Sequence, residues 1–367
     1  MQLELLRHYN SAEDIIMRPE ETLADLNINY RFRCIDAITS YRQQALVHAA
    51  SELEFCRKHI IQVIPYNSED YPHRLKDCSD APAIIYYRGT ANLNAPHVIA
   101  VVGTRKITEY GKQVCVRLTE RIAELLPDTL VISGLAYGID IHTHRGCLDN
   151  GLSTIGVVAH GMDQIYPAVH RKDAKRMLSQ GGILTEYPRG TSPLQGNFLR
   201  RNRIVAGLAD ATIVVESASH GGSLVTARIA LSYERMVFAV PGRINDPYSV
   251  GCNNLILKQK ALIALSADDI IHELGWWSET TEAQRHPLQL ELFGNGQSAP
   301  QRPALLPQMN PQQQCIAEAL QGTDGMNPAA LSAKTGMSIA EVSAHLFDME
   351  MEGIVKILPG GFYMLKK

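Results

Sequence analysis

A short run of arginines beside one aromatic residue is the clearest candidate for a binding site in this sequence. In QGNFLRRNRIVAGLAD, residues 195–210, the side chains of Arg200, Arg201 and Arg203 follow Phe198 closely. Guanidinium groups bind phosphates through paired N–H donors, and an aromatic face stacks on an unpaired base. A solvated charged surface is the alternative, but the apolar stretch IVAGLA places the segment against a core. The same segment adds further polar candidates, Gln195, Asn197 and Asn202.

Glycine-rich loops form a second group of candidate binding residues. They follow apolar runs and contain Gly103-Thr104-Arg105, Ser133-Gly134, and Gly222, Ser223 and Thr226. Glycine lets the backbone approach a ligand closely, and the N-terminus of a following helix offers free N–H groups to anions. Tight turns and helix caps are the alternative explanation. Several such loops together with arginines favour a groove for single-stranded nucleic acid, with Arg105 clamping a backbone phosphate.

Other chemistries are disfavoured by the spacing of the residues. The loop GTRKITEYG lacks the G-x-G-x-x-G pattern of dinucleotide binding, and no GxxxxGK[ST] motif is present, so we expect no cofactor. Asp140, Glu186 and Glu216 have no suitably spaced nucleophile or base, which indicates loop hydrogen bonding. His142 and His144 point to different sides of a helix, so we expect core packing there and no metal site.

The elements that must position these residues form an alternating pattern. Apolar runs occupy 98–103, 129–134, 153–160, 181–187, 211–217 and 235–242, and helical segments lie between them. Near-continuous Val and Ile content is typical of parallel strands covered on both faces. The pattern predicts an α/β fold, a Rossmann-like doubly wound and mostly parallel sheet. In such sheets ligands bind at the carboxyl ends of the strands.

The pattern along the 367 residues predicts four regions. A small helical N-terminal region covers 1–60, and the Rossmann-like core covers 61–275. A linker rich in Pro, Gln and Ser covers 276–311. Residues 312–367 have the pattern of three helices and a two-stranded wing, which predicts a winged-helix domain.

Composition narrows the class of protein further. The net charge is −3, so any nucleic-acid site must come from local clustering of cations. Seven cysteines are scattered singly, which indicates reduced thiols in a cytosolic protein. The N-terminus lacks the pattern of a signal peptide, and no apolar stretch is long enough to span a bilayer. We therefore expect a cytoplasmic protein with no membrane contact.

Six motifs, taken in order and spacing, resemble the DNA-processing protein A family (DprA, also called Smf). They are VVGTRKITEYG, SGLAYGIDIHTHRGCL, GMDQIYP, FLRRNRIVAGLAD, GGSLVTARIA and VFAVPG…GCNNLI. The resemblance implies a non-enzymatic, single-stranded DNA-binding recombination mediator that protects DNA and loads RecA recombinase in natural transformation. It also implies Arg105 as a phosphate contact, Phe198 as a stacking residue, and a homodimer, for which we name residues 235–256 as the candidate interface.

The chain departs from the family pattern at several positions. Ala168 and Gln195 stand where members often carry lysine, and His170 and Leu199 replace an asparagine and a proline. Candidates to replace the missing cations are Arg171, Lys172, Arg189 and Arg200. The N-terminal region lacks the hairpin motif of the family's helical accessory domain, so we expect it to be shortened or altered.

Two segments suggest protein partners. The expected recognition helix of the winged-helix domain, residues 338–352, carries Asp348, Glu350 and Glu352 and no Lys or Arg. Because an acidic helix repels phosphate, protein contact is the preferred interpretation. In the linker, Gln289, Leu290, Leu292 and Phe293 resemble the QLxLF motif that docks on the replication sliding clamp.

A nucleotide-processing enzyme of the phosphoribohydrolase type is the alternative function. Enzymes of that class carry a motif similar to PGGxGTxxE after a late strand, and the glutamate of this motif takes part in the reaction. The comparable stretch here is HGGSLVTARIA, with Ala227 and Arg228 where the glutamate is needed. The enzyme is therefore the less favoured hypothesis.

Overall fold

The computed structural model describes residues 2–9, 11–25, 27–276, 310–321, 325–351, 354–358 and 362–365. The chain divides into two compact units, Met1–His286 and Pro287–Lys367, called here the N-terminal and C-terminal units. Most of the linker expected at 276–311, including the clamp-like motif at 289–293, lies outside the described residues.

Four helices begin the N-terminal unit: α1 Gln2–Tyr9, α2 Ala12–Met17, α3 Pro19–Thr22 and α4 Ile28–Lys58. Ser11 caps α2 by accepting a hydrogen bond from the backbone N–H of Asp14 at 3.1 Å. Arg7 links α1 to the rest of the unit, because its Nε donates to the hydroxyl of Tyr66 at 3.0 Å. Its Nη2 also donates to the carbonyl of Cys78 at 3.1 Å.

A nine-stranded sheet forms the centre of this unit. Its strands are β1 Gln62–Pro65, β2 Ile84–Gly89, β3 Val98–Val102, β4 Leu130–Ser133, β5 Ser153–Val157, β6 Gly181–Thr185, β7 Ala211–Val214, β8 Met236–Ala239 and β9 Leu262–Ile263. The order is β1-β2-β6-β5-β4-β3-β7-β8-β9. Strands β3 to β9 pair in parallel, whereas β1 and β2 add an antiparallel edge. The expected Rossmann-like, mostly parallel sheet is confirmed.

Helices cover both faces of the sheet. They are α5 His73–Lys76, α6 Glu109–Leu125, α7 Ile139–Asp149, α8 Arg171–Gln180, α9 Gln195–Leu208, α10 Gly222–Ser232, α11 Val250–Leu257 and α12 Ala267–Glu273. Alternate residues of β3 enter opposite cores: Val98 and Ala100 pack with α9 and α10, whereas Ile99 and Val101 pack with α6 and α7. This two-sided burial explains the continuous apolar runs in the sequence. No helix among the described residues is long and apolar enough to cross a membrane.

Several strands are shorter than their apolar runs suggest. The run at 153–160, for example, leaves the sheet after Val157, although Val158 and Ala159 are also buried. These two residues pack inside a loop, and the backbone N–H of Val158 donates to the carbonyl of Leu184 at 2.8 Å. Apolar composition therefore marks burial here and does not mark the end of the strand.

The C-terminal unit contains three helices and one hairpin: α13 Pro311–Leu320, α14 Pro328–Thr335, α15 Ile339–Met351, β10 Val355–Leu358 and β11 Phe362–Leu365. Asn310 and Gln313 form a reciprocal capping box at the start of α13. Asn327 caps α14 by accepting from the N–H of Ala330 at 2.8 Å. Gly336 ends α14 with φ of 75°, a left-handed conformation that suits glycine. The expected winged-helix arrangement is confirmed.

Candidate functional site

The loops after β3, β4 and β7 surround a cavity of about 550 Å³, called here the central cleft. Strand β3 lies between β4 and β7, and the sequence order of the strands reverses at this point of the sheet. Loops of neighbouring strands diverge at such a point and leave a crevice in which open α/β sheets bind ligands. One side of α9, from Gln195 to Val205, and the first residues of α10 complete the lining.

Backbone contacts fix the loop after β3. The N–H of Thr104 donates to the carbonyl of Glu216 at 2.7 Å, and the carbonyl of Thr104 accepts from the N–H of Ile139 at 3.1 Å. A Cβ on Gly138, which has φ of 78°, would come within 2.1 Å of the Thr104 carbonyl oxygen. Glycine is therefore required for this close approach. The loop holds the exposed side chain of Arg105 beside the cleft.

Two carboxylates bond to these loops, Glu216 shortly after β7 and Asp140 in the first turn of α7. Glu216 accepts hydrogen bonds from the N–H of Thr108 at 3.0 Å and from its hydroxyl. Asp140 accepts from the N–H groups of Gly134 at 3.1 Å and Ala136 at 3.3 Å. The expectation of loop hydrogen bonding is confirmed for Glu216 and Asp140, whereas Glu186 forms an ion pair with Arg203 on α9.

Arg201 is a buried cation on the cleft lining. Only 4 % of the residue is exposed, and its Nη1 donates to the carbonyl of Val157 at 2.6 Å. Burial lowers the pKa of Arg201 and raises that of Asp140, while attraction between the two opposes both shifts. Among the described residues, the Nε of Arg201 has no hydrogen-bond partner. A buried donor without a partner is costly.

An aromatic surface lies next to these cations. The ring of Phe198 is 5.8 Å from the ring of Tyr166, centroid to centroid, and the guanidinium carbon of Arg105 is 5.5 Å from the Phe198 centroid. The second distance is within the range of cation–π attraction. Tyr166 is 47 % exposed. Stacking surface and positive charge are thus adjacent.

The N-termini of α9 and α10 face the cleft without side-chain caps. Leu194 and Gly221 occupy the cap positions, and neither supplies a side-chain hydrogen bond. The hydroxyl of Ser223 bonds to that of Ser217 at 2.9 Å, and the hydroxyl of Thr226 donates to the carbonyl of Gly222 at 3.1 Å. These hydroxyls thus have partners within the protein. Uncapped N–H groups at a helix N-terminus favour a bound anion.

The central cleft gathers most of the residues that the sequence singled out. Its lining contains Gly103, Thr104, Arg105, Gly134, Gln195, Phe198, Arg201, Asn202, Gly222, Ser223 and Thr226. Their roles as DNA contacts remain predictions.

The other four candidates lie outside the lining. Ser133 is buried and donates to the carbonyl of Val101 at 2.6 Å. The side chain of Asn197 donates to the carbonyl of Ser192 at 3.2 Å. Arg203 forms an ion pair with Glu186, whereas Arg200 is exposed. The structure therefore assigns Ser133 and Arg203 to internal hydrogen bonds and not to the cleft.

Helical periodicity explains which residues of α9 reach the cleft. Phe198, Arg201, Asn202 and Val205 all line it, at the spacing i, i+3, i+4 and i+7 that defines one face of a helix. Arg203 is two residues beyond Arg201 and lies on another face. This difference could have been predicted from the sequence, because two arginines that are two positions apart on a helix cannot lie on the same face.

Sequence reasoning missed Tyr166 and His220 as site residues. Tyr166 contacts Phe198, and His220 lines the cleft at the turn before α10. The sequence placed both in loops at strand ends, and that position was the available indication. The contact of Tyr166 with α9 joins segments 32 residues apart and has no local pattern.

The two histidines of α7 have separate surroundings, as expected. The Nδ1 of His142 lies 2.9 Å from the carbonyl of Gly138. His144 is fully buried, with its Nδ1 2.7 Å from the hydroxyl of Thr154. In the part of the chain that the structure describes, no group of three or more His, Cys, Asp or Glu side chains could hold a metal ion.

Of the four cations considered as replacements for the missing lysines, one is engaged elsewhere. The Nε of Arg189 lies 3.5 Å from the carboxylate of Glu52, and its guanidinium lies 5.3 Å from the ring centroid of Phe55. Both partners belong to α4. Arg171 and Lys172 are exposed at the start of α8, as is Ala168 just before it.

Comparison with known proteins identifies the family. Residues 62–275 match the model for DNA recombination-mediator protein A, and residues 297–361 match the DprA winged helix domain. The chain belongs to the DNA recombination-mediator protein A family. The resemblance seen in the sequence motifs is thereby confirmed, and the match spans every loop of the central cleft.

Relatives of this family are similar over most of the chain. A putative DNA processing protein DprA of Mycobacterium tuberculosis is 32 % identical over 87 % of this chain and 80 % of its own length. The X-ray structure of DprA from Streptococcus pneumoniae matches with a TM-score of 0.61 and 29 % identity, over 74 % of this chain and 96 % of that one. A structure on the single-stranded DNA binding mode of the Helicobacter pylori protein matches with a TM-score of 0.53 and 30 % identity, over 58 % and 95 %.

Proposed function

We propose that the central cleft binds single-stranded DNA. The observation that carries this proposal is the contiguous surface of Arg105, Phe198 and Tyr166 beside two uncapped helix N-termini. Cations and N–H groups would bind the phosphates, while the rings would stack on bases. The Helicobacter pylori relative, whose structure concerns single-stranded DNA binding, supports the same ligand.

The arrangement favours a single strand over a duplex. A base can stack on Phe198 only when it is not already stacked between neighbours in a paired helix. Arg201 is buried against Val157 and Asp140. A DNA backbone can therefore contact it only by entering the cleft. A rigid duplex presents its phosphates on the outside of a wide cylinder and would not reach a donor buried to this extent.

The candidate residues have two kinds of role in this proposal. Those on the cleft lining, including Gln195 and Asn202, would contact the strand directly. Ser133 and Arg203 would act by holding the loops and α9 in place through their internal bonds. Arg200 and Asn197 lie on α9 next to the lining, and Arg200 is exposed enough to add a phosphate contact at the rim.

We further propose that the bound strand is protected and passed to RecA recombinase during natural transformation, and that the protein acts as a homodimer. The membership in a recombination-mediator family supports the recombination step. Within the candidate interface at 235–256, Ile244 is 88 % exposed, and just beyond it Leu257 is 78 % exposed. Exposed apolar side chains of this size favour a protein contact. Light scattering at micromolar concentration should give the mass of a dimer; a monomeric mass would remove the dimer from the proposal.

We propose binding without catalysis. Within α10, Ala227 and Arg228 stand where a phosphoribohydrolase needs its glutamate. Asp140, which lines the cleft, and Glu216, which follows β7, both accept hydrogen bonds from backbone N–H groups. Incubation with nucleoside monophosphates should release no base. Release of free base that depends on the protein would restore the enzyme hypothesis.

The clamp-like motif at 289–293 remains a proposal from the sequence. A peptide spanning 284–297 should bind a purified sliding clamp with micromolar affinity, because glutamine can donate and accept hydrogen bonds while leucine and phenylalanine fill apolar pockets. Replacing Leu292 and Phe293 by alanine should abolish that binding. Absence of binding by the unaltered peptide and by the full chain would end this part of the proposal and leave the DNA-binding part unaffected.

A direct titration tests the central proposal. The full chain is mixed with a fluorescent single strand, and unlabelled single strands and duplexes of the same length and sequence compete for it. We expect the single strand to compete at least about tenfold better than the duplex, since stacking on an exposed ring contributes roughly 1–3 kcal/mol per base. Equal competition by the two would contradict the assignment.

A further inference from the structure

The segment between β6 and α9 is joined to the loop that follows β5. We call residues 188–194 the bridging loop. The backbone N–H of Gly190 donates to the carboxylate of Asp163 at 3.0 Å. The carbonyl of Thr191 accepts from the side-chain amide of Gln164 at 3.0 Å. These hydrogen bonds join the two loops, so a displacement of one would also displace the other.

Each of the two loops leads to one ring of the aromatic surface beside the central cleft. Tyr166 lies in the loop after β5, two residues beyond Gln164. Phe198 lies in the first turn of α9, and its N–H donates to the carbonyl of Leu194, the last residue of the bridging loop, at 3.4 Å. The two rings are 5.8 Å apart, centroid to centroid. The position of the bridging loop therefore affects both rings.

One residue of the bridging loop, Arg189, attaches it to α4. The backbone N–H of Arg189 donates to Oε1 of Glu52 at 3.0 Å, and its Nε lies 3.5 Å from Oε2 of the same carboxylate. Its Nη2 also donates to the hydroxyl of Ser51. The side chain of Glu52 is only 14 % exposed, so solvent screens this pair less than it screens a fully exposed one. Backbone and side chain of Arg189 thus share one carboxylate of α4.

These contacts argue against Arg189 as a phosphate contact. Its guanidinium group is directed at α4, where it meets Glu52, Ser51 and the ring of Phe55. Neither Arg189 nor Glu52 belongs to the lining of the central cleft that the described residues form. Glu52 could influence a strand in the cleft through the bridging loop or through long-range charge, and these two routes predict opposite signs for its removal.

We propose that α4 positions the aromatic surface through the contact between Glu52 and Arg189, which makes Arg189 a positioning residue for stacking. This inference rests on the proposed single-stranded DNA binding of the cleft. A surface that is already ordered binds a strand more tightly, because less conformational freedom is lost on binding. The N-terminal helices thus contribute to DNA affinity although the Glu52 contact lies outside the cleft.

The variant Glu52→Ala tests the proposal by the sign of its effect. The substitution removes a negative charge, so long-range electrostatics alone would tighten the binding of a polyanion. Loss of the contact with Arg189 should instead weaken single-strand binding about three- to fivefold, on the order of one net hydrogen bond. The salt slope should stay the same, since no phosphate contact is lost. Fluorescence anisotropy with a labelled strand measures both quantities, and unchanged or tighter binding would contradict the proposal.

Two further carboxylate variants serve as controls. Glu54→Ala removes an exposed carboxylate two residues away on α4 and should leave binding unchanged. Glu52→Gln keeps an oxygen that can accept from the N–H of Arg189, so it should lose less affinity than Glu52→Ala. Equal weakening by Glu52→Ala and Glu54→Ala would show that the contact with Arg189 is not the cause.

The variant Arg189→Gln distinguishes positioning from direct contact. It should weaken single-strand binding about as much as Glu52→Ala, again with an unchanged salt slope. A salt slope reduced by about 0.7 would show that Arg189 binds a phosphate of the strand and would overturn its positioning role. Denaturant unfolding followed by tryptophan fluorescence establishes that each variant is folded under the conditions of the binding assay.

A double-mutant cycle locates the effect at the aromatic surface. In a Phe198→Ala background one of the two positioned rings is absent, so Glu52→Ala should weaken binding by less than about twofold. Full additivity of the two substitutions would show that Glu52 acts elsewhere and would contradict the proposal. Failure of the unaltered chain to bind a single strand would instead overturn the cleft proposal itself, and this inference with it.

Discussion

The central cleft and helix α15 of the C-terminal unit belong to two folds that commonly bind nucleic acid, yet their surfaces differ in sign. The cleft presents Arg105, Arg201 and uncapped N–H groups, and its one carboxylate, Asp140, is occupied by backbone N–H groups. Helix α15 presents Glu341 and Asp348 on its exposed side. Phosphate is attracted to the first surface and repelled by the second.

The difference shows that a fold does not determine a ligand. A winged helix commonly places α15 in a DNA groove, but here the charge on that helix opposes such contact. The exposed side of α15 also carries Phe347, which is 62 % exposed and better suited to a protein surface. We therefore expect DNA affinity to depend on residues of the cleft and to be nearly independent of α15.

Replacing the clamp residue of the cleft should have the largest effect. Arg105→Ala should weaken single-strand binding by about 1.5–3 kcal/mol, because hydrogen bonds to charged groups contribute that much. Fluorescence anisotropy with a labelled strand measures the change. Lys106→Ala is the matched control, since Lys106 is the next exposed cation in the same loop and does not line the cleft. Equal losses for both variants would show that the loop contributes only general charge.

Acid should destabilise the N-terminal unit through its buried histidines. Burial lowers the pKa of His144 to about 3 and also lowers that of His160, so both are neutral in the folded protein. In the unfolded chain they take up protons below pH about 6.5. The contribution of each histidine is fully present above that pH. It is lost as the pH falls toward the lowered pKa of that histidine in the folded protein, which is about 3 for His144, at about 1.4 kcal/mol per pH unit for each group that differs by one proton.

Denaturant unfolding at pH 7 and pH 5 measures this effect. Both tryptophans of the chain, at 276 and 277, belong to the N-terminal unit, so their fluorescence reports on that unit. His144→Asn should reduce the dependence of unfolding free energy on pH, whereas His220→Asn, at an exposed position, should leave it unchanged. An unaltered pH dependence in His144→Asn would show that other groups cause the acid sensitivity.

Stacking should contribute less than the clamp residue. Phe198→Ala should weaken single-strand binding by about 1 kcal/mol, at the lower end of the range for one stacked base, because Tyr166 remains beside it. The salt slope should stay nearly unchanged, since stacking releases no counterions. Phe198→Leu keeps apolar volume without a ring and should show a similar loss. A large change in the salt slope would mean that Phe198 acts by positioning Arg105.

The sequence predicted the sheet and the position of the site well, for identifiable reasons. Strands buried on both faces leave continuous Val and Ile runs, and the loops that follow these runs lie at the edge of the sheet at which ligands bind. Gly103 to Arg105 and Gly222 to Thr226 follow two such runs, and both segments line the cleft. Local pattern was sufficient because both segments follow a strand closely along the chain, so the position of the strand also fixes theirs.

Contacts between distant segments could not be predicted in the same way. Arg203 was grouped with Arg201 by its type, but a carboxylate 17 residues away, Glu186, determines where its guanidinium lies. Arg189 meets Glu52 across 137 residues, and nothing in either segment indicates the other. Such pairings depend on the packing of whole elements, so composition shows that cations are present without showing which of them are free.

Neutralising the acidic helix should have the smallest effect and sharpens the comparison most directly. Asp348→Asn/Glu350→Gln removes two negative charges from α15 while leaving Glu341, whose carboxylate accepts hydrogen bonds from Ser338, in place. Exposed charges contribute little at physiological salt, so duplex affinity of the full chain should rise by less than about 0.5 kcal/mol. Glu120→Gln, an exposed carboxylate of the N-terminal unit, is the control. A gain of tenfold or more in duplex binding by the double variant alone would show that α15 binds DNA and that its own negative charge weakens this binding. The cleft and α15 would then differ only in how strongly they bind DNA.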